Sequence, residues 1–287
     1  MTENNIAPLP QRRTLPALGL RVITGLILGG AVIALLLVAP IWGITIFATA
    51  CAALGFFEYS RMMPGLAWPE TILGVILCAA LLPITYSGGM TAALPFLVLA
   101  VVLSAFFCML GAPGLAIEKA SRLTFGYVYV GGALACLIGL LEIEQGRYWL
   151  LFLLVLVAVV DMSGYFVGSL LGKHKLAPRI SPNKTWEGVL GGLLGAAACG
   201  ALASIWLTLP GPSAWWWLII VSLLVAVSAI VGDLFESAIK RISGMKDSGK
   251  ILPGHGGLLD RLDGYLLALP AMLLILYIWP RLWSILS

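Results

Sequence analysis

Apolar stretches close to the ~20 residues that carry a helix across the hydrocarbon core of a bilayer recur along the whole chain, with short polar gaps between them. This repetition constrains the fold before any motif is read. Nine stretches can be traced, at roughly 21–38, 41–57, 70–86, 92–110, 123–141, 147–170, 188–208, 214–238 and 264–280. With 61% hydrophobic and only 10% charged residues, the chain cannot furnish a water-soluble surface, for which about 25% charged residues is usual. Lipid must cover much of the outside, and backbone polar groups must be satisfied within helices. The expectation is an all-α, polytopic membrane protein of about nine transmembrane helices. The tight gap around Pro40 makes a hairpin of the first two.

Charge sets the expected orientation. With the N-terminus in the cytoplasm and spans alternating, fifteen of the 17 Lys and Arg residues fall on the cytoplasmic side. Only Arg147 and Arg281 fall outside, as the positive-inside rule requires. An even number of spans breaks this alternation, so the C-terminus is expected on the outer side. Trp215, Trp216 and Trp217 at one span start, and Trp279 and Trp283 at the last span end, are then interfacial anchors on that side. Arg12 and Arg13 precede the first span as in a signal peptide, but no small-residue cleavage site follows, and the span is expected to be retained. The net charge of +4 follows membrane sidedness and is no nucleic-acid footprint. Cys51, Cys78, Cys108, Cys136 and Cys199 lie in apolar runs without paired spacing, which excludes a disulfide or zinc framework.

The two halves differ in kind. Residues 1–145 contain no Asp and no His, whereas every Asp and both His residues lie between Asp161 and Asp263. The N-terminal half is therefore read as a membrane-embedded frame with oligomer contacts, compatible with a homodimer. Residues 146–287 are read as the catalytic region. No internal repeat supports an inverted-repeat transporter. Asp161 sits about fifteen residues into a helix entering from outside, roughly 20 Å deep. A carboxylate there is costly and must face the bundle interior and find a cation or donor.

Three further polar elements follow. The loop Lys173–Trp186 is cationic and stiffened by Pro178 and Pro182, and Ser181, Asn183, Lys184 and Thr185 offer donors just before a helix begins. A helix start of that kind suits phosphate, although the Walker spacing is absent. On the eighth span, helical spacing places Asp233, Glu236, Ser237 and Lys240 along one stripe. Asp233 with Glu236 or Ser237 presents hard oxygens suited to magnesium; neutralisation of Glu236 by Lys240, four residues on, is the plainer alternative. The last loop carries Lys246, Asp247, Ser248, Gly249 and Lys250, then His255, Gly256 and Gly257, then Asp260, Arg261 and Asp263. Its glycines allow backbone N–H groups to converge on an anion.

The run Ser237-x-Ile239-Lys240-Arg241-x4-Lys246-Asp247-x-Gly249-x2-Leu252-Pro253-x-His255-Gly256-Gly257-Leu258-x-Asp260-Arg261-Leu262-Asp263 resembles the motif of the phosphatidate cytidylyltransferases throughout. Asp161, Gly164, Tyr165 and Gly168, and the segment Ser181–Glu187 with Gly188, resemble further blocks of that family. The resemblance implies magnesium-dependent transfer of CMP from CTP to phosphatidate at the cytoplasmic face of a bacterial inner membrane, giving CDP-diacylglycerol and pyrophosphate. It leaves room for a second cation. Asp233 and Asp260 are then the principal metal ligands, with Asp263, Asp247 and Asp161 as further ligands or orienting partners. Lys184, Lys240, Arg241, Lys246 and Arg261 are expected to hold triphosphate or lipid phosphate. Ser181, Asn183, Thr185, Ser237, His255, Gly256 and Gly257 are expected to position phosphate or metal-bound water. The rival readings are an ion or solute transporter using the buried carboxylates, or another lipid-linked enzyme. The Asp-Gly-x2-Ala-Arg run of alcohol phosphotransferases is absent.

Overall fold

Among the described residues, seven helices are long and apolar enough to cross a membrane. The computed structural model describes residues 25, 29–111, 113–205, 207, 215–249, 251 and 256–286. Arg12, Arg13, Arg21, Lys250 and His255 lie outside them, and the expected first span is represented by Gly29–Val38 (α1). There follow α2 (Ile41–Met62), α3 (Trp68–Met109), α4 (Ala116–Glu142), α5 (Gly146–Leu171), α6 (Trp186–Ala203), α7 (Trp215–Ile242) and α8 (Leu259–Leu286).

The difference from nine lies at α3 as well as at the first span. Its 42 residues would extend about 63 Å as a straight helix, twice the hydrocarbon thickness. The helix breaks at Gly89, with φ 66° and ψ −171°, a conformation that glycine alone adopts readily. The arms on either side run in opposite directions along α4. Before the break, Gly74 lies against Leu123 and Cys78 against Gly131; Gly89 itself faces Glu142. After it, Met90 lies against Gly139, and the Leu97 carbonyl accepts a 3.0 Å hydrogen bond from the Tyr127 hydroxyl. The expected spans 70–86 and 92–110 are therefore the two arms of one reversing helix.

The core lies among α2, α3, α4 and α5, where Phe56, Tyr59, Leu81, Leu82, Leu123 and Ile138 are fully buried. A π-helical turn at Tyr127–Gly132 interrupts α4. Such turns re-aim side chains, and Tyr129 here packs edge-on against Phe235 of α7 at 5.4 Å between ring centroids. At the end of the bundle where α4 finishes and α5 starts, Arg147 donates to the Leu36 and Leu37 carbonyls at 3.0 and 3.2 Å, satisfying groups that α1 leaves open.

The all-α expectation holds, with one small addition. Between α5 and α6 the chain forms an antiparallel pair, β1 (Lys175–Ala177) and β2 (Ser181–Thr185). The prolines that stiffen this segment also keep it from extending either helix.

Small residues bring the helices of the C-terminal region together. A Cβ added to Gly188 of α6 would lie 2.9 Å from the Gly164 carbonyl oxygen of α5, and one added to Gly232 of α7 would lie 2.7 Å from the Asp263 carbonyl oxygen of α8. Backbones at this spacing leave no slack for a methyl group. Gly188→Ala is expected to destabilise the fold by about 1–3 kcal/mol in thermal unfolding in detergent. Gly29→Ala, where nothing lies within 4 Å of an added Cβ, should leave the transition in place.

Candidate active site

The close pairs α5–α6 and α7–α8 carry the polar helix ends and the β-hairpin to one end of the bundle. Thr185 caps α6, its hydroxyl accepting the Gly188 N–H at 3.1 Å, so β2 runs straight into a helix start. Glu187 clamps the base of the hairpin: it accepts the His174 backbone N–H at 3.2 Å and meets His174 Nδ1 at 2.6 Å. Arg241 of α7 donates through Nε to the Ile180 carbonyl at 3.1 Å, fixing the turn. The hairpin so held delivers Lys184 to Asp233 of α7, with Nζ–Oδ2 at 2.5 Å. Ser237 donates to the other Asp233 oxygen at 3.4 Å.

Three carboxylates share this neighbourhood. Asp161 of α5, Asp233 of α7 and Asp263 of α8 lie within electrostatic reach of one another, with Lys184 as a cation close to Asp161 and Asp233. The Gly232–Asp263 backbone contact explains how α7 and α8 bring two of them side by side. Asp161 is more accessible than a residue facing the bundle interior, but Lys184 lies within its electrostatic reach as the expected cation; the glycine face of α5, Gly164 and Gly168, takes the tight contact with α6.

The second cluster centres on Lys240, whose ammonium lies 2.7 Å from Asp260 Oδ1 and 3.1 Å from Glu236 Oε1. Glu236 is completely buried, and among the described residues neither of its oxygens accepts a well-aligned hydrogen bond. The Lys240 contact is therefore charge pairing across four residues of helix. Asp260 Oδ2 accepts the backbone N–H groups of Ser248 and Gly257, each at 2.9 Å. The convergence of glycine-loop N–H groups foreseen from sequence exists, but the anion it meets is internal. Leu258 and Leu259 N–H likewise point to Glu58, a residue of α2 that motif and charge pattern did not single out. A lone acid at a helix end carries no signal of its reach to residues 200 positions away.

Several expected residues thus meet: Asp161, Asp233, Asp263 and Lys184 in one group, Lys240 and Asp260 in the other, with Ser237 beside Asp233. Thr185 is buried in its capping role, and Gly257 spends its N–H on Asp260. Gly256 takes φ 82° next to Asp260 and Asp247. Lys246, Asp247, Arg241, Arg261 and Asn183 are exposed around the rim, and Ser181 is half-buried.

The profile of the Cytidylyltransferase family matches residues 19–279. The chain belongs to the cytidylyltransferase family. Among its relatives is a phosphatidate cytidylyltransferase of Bacillus subtilis strain 168, 33% identical over 262 residues that cover 89% of this chain and 96% of that protein. One from Staphylococcus saprophyticus is 42% identical over 133 residues, 46% of this chain and 50% of that protein. One from Brucella abortus strain 9-941 is 47% identical over 119 residues, 42% of this chain and 43% of that protein. For a cytidylyltransferase the paired lysines and carboxylates are the expected chemistry, because transfer at phosphorus depends on charge neutralisation and positioning.

Lys240 neutralises two acids where water is scarce. Lys240→Met is expected to cost about 3–5 kcal/mol, since it leaves buried Glu236 without its cation and Asp260 with only its two backbone donors. Adding Glu236→Gln should recover part of that loss in thermal unfolding of the purified protein.

Proposed function

We propose that this chain transfers CMP from CTP to phosphatidate, giving CDP-diacylglycerol and pyrophosphate. A phosphate oxygen of phosphatidate attacks the α-phosphorus of CTP, the bond from that phosphorus to the bridging oxygen breaks, and pyrophosphate leaves with the electron pair. The nucleophile needs no base, because a phosphate monoester is already anionic near pH 7. The observation that carries this reading is the gathering of Asp161, Asp233, Asp263, Lys184, Lys240 and Asp260, from four separate elements, at one end of an otherwise apolar bundle. Family membership and the names of the relatives supply the substrates. The gathering of these carboxylates and lysines at one end gives no support to a path across the membrane.

The donor set fits magnesium. Among the described residues no three His, Cys, Asp or Glu side chains form a preformed metal cage. Magnesium does not ask for one: it keeps several waters and takes one or two carboxylates together with substrate phosphates. Asp233, with Asp263 and Asp161 in reach, are the oxygens that would hold it, and it would supply charge neutralisation at the phosphates. Asp260, with Oδ1 on Lys240 and Oδ2 on two N–H groups, is better suited to orient Lys240 than to bind metal. Lys184 and Lys240 would bind phosphate oxygens, with Arg241, Lys246, Arg261, Asn183 and Ser181 at the rim admitting the nucleotide. Reversal at Gly89 fits nine crossings, with the N-terminus and the site on the cytoplasmic side of the bacterial inner membrane. There a soluble nucleotide and a lipid phosphate can meet.

Purified protein in mixed micelles with phosphatidate and α-labelled CTP is expected to move label into lipid only when magnesium is present. Asp233→Asn should lower that rate by about 100-fold or more while the protein still folds. Near-normal transfer by Asp233→Asn would remove it from the site, and ion flux without CTP would favour a transporter.

A further inference from the structure

We infer that Glu58, in the N-terminal frame, is a positioning residue for the reaction centre: it holds the backbone that carries Asp260 and thereby sets the carboxylate facing Lys240. The inference builds on the site proposed above.

Glu58 is buried, with 2% of its surface exposed. Among the described residues no Lys, Arg or His pairs with it. Its charge is met by three protein donors instead: Leu258 N–H at 3.0 Å on Oε1, and Leu259 N–H at 2.8 Å and the Ser248 hydroxyl at 3.0 Å on Oε2. Leu259 is the first residue of α8, so this carboxylate stands at the positive end of a helix dipole and fills the role of a cap supplied from 200 residues away. Ser248 joins the two acids. Its hydroxyl lies on Glu58 and also accepts the Asp260 N–H at 3.3 Å, while its own N–H lies on Asp260 Oδ2. Glu58 therefore grips both flanks of the glycine loop, at 248 and at 258–259, and Asp260, the next residue along, takes the Ser248 and Gly257 N–H groups.

Two glycines make room for it. A Cβ on Gly249 would stand 2.4 Å from Glu58 Oε1, and one on Gly257 would stand 2.0 Å from Ser248 Oγ and 2.6 Å from Glu58 Oε2. Gly244 and Gly256, on either side of the loop, both take positive φ. Glu58 rises from the best packed part of α2, between Phe56 and Tyr59, both with no exposed surface. Rigidity passes from the frame through Glu58 to the loop, to Asp260 and to Lys240. A glutamine cannot replace this function, since one of its two terminal atoms would point N–H groups at N–H and O–H donors.

The test compares Glu58→Gln with Glu70→Gln. Glu70 is another acid of the frame, paired to Lys119 at 2.6 Å and away from the loop. Kinetics measured well below each unfolding temperature should show kcat reduced between about 10- and 100-fold in Glu58→Gln, the range typical of residues that orient a reacting group. Glu70→Gln should keep the wild-type kcat whatever its stability. In a Ser248→Ala background, Glu58→Gln should add less than about threefold, because both act through one hydrogen-bonded chain. Hydrogen exchange should quicken at residues 246–260 in Glu58→Gln alone, a readout that holds even if the wild type proves inert toward CTP and phosphatidate, which would sink only the proposed reaction. If Glu58→Gln fails to fold, Glu58→Asp serves: it keeps the charge but not the reach, and should show an intermediate kcat. Wild-type kcat in Glu58→Gln or Glu58→Asp, equal losses in Glu58→Gln and Glu70→Gln, unchanged exchange at 246–260, or fully multiplicative effects with Ser248→Ala would each overturn the inference.

Discussion

A carboxylate taken out of water must find a cation or an array of N–H donors, and the architecture follows from how this chain meets that demand. Asp233 has Lys184, Asp260 has Lys240 and two backbone amides, Glu236 has Lys240, and Glu58 has two amides and a hydroxyl. Each partner comes from a different segment of chain or from a distinct turn of helix. The apolar bundle holds these segments in place, and the compensated charges in turn hold the loops that a greasy surface alone could not order.

Close backbone approach makes the pairing possible. Gly164 against Gly188 and Gly232 against the Asp263 carbonyl place α5, α6, α7 and α8 near enough for side chains from separate helices to share a site. The β-hairpin then needs only short clamps, Glu187 on His174 and Arg241 on Ile180, to bring Lys184 over α7. In a membrane, where apolar contact between helices has no solvent to escape, small residues at such contacts supply packing that bulkier ones forfeit.

Much of this was legible in the sequence because its signals are local. The apolar periodicity marks the spans, and the Asp233–Lys240 stripe shows as a polar seam on a hydrophobic helix. Joint placement of Asp161, Asp233 and Lys184 follows once the polar residues are assigned to one membrane face. What could not be read depends on distant pairing. The reversal at Gly89 resides in one residue's backbone angles, and Gly-Gly in an apolar run is as common in straight packed helices. The hairpin at 175–185 is too short for an alternation signal. The glycines of the last loop show in the sequence as freedom for backbone amides to converge, but nothing there tells that Asp260 and Glu58 are the carboxylates they meet. The second belongs to a part of the chain whose pattern speaks only of membrane.

The account rests on the lysine–carboxylate lattice being the place where nucleotide binds. The most direct measurement is a structure of the protein in lipid nanodiscs with magnesium and a non-hydrolysable CTP analogue. The account predicts triphosphate density within hydrogen-bond reach of Lys184 and Lys240, metal density on Asp233, and the Lys184–Asp233 contact loosened relative to its 2.5 Å. Nucleotide bound elsewhere, with both lysines still on their carboxylates, would contradict it.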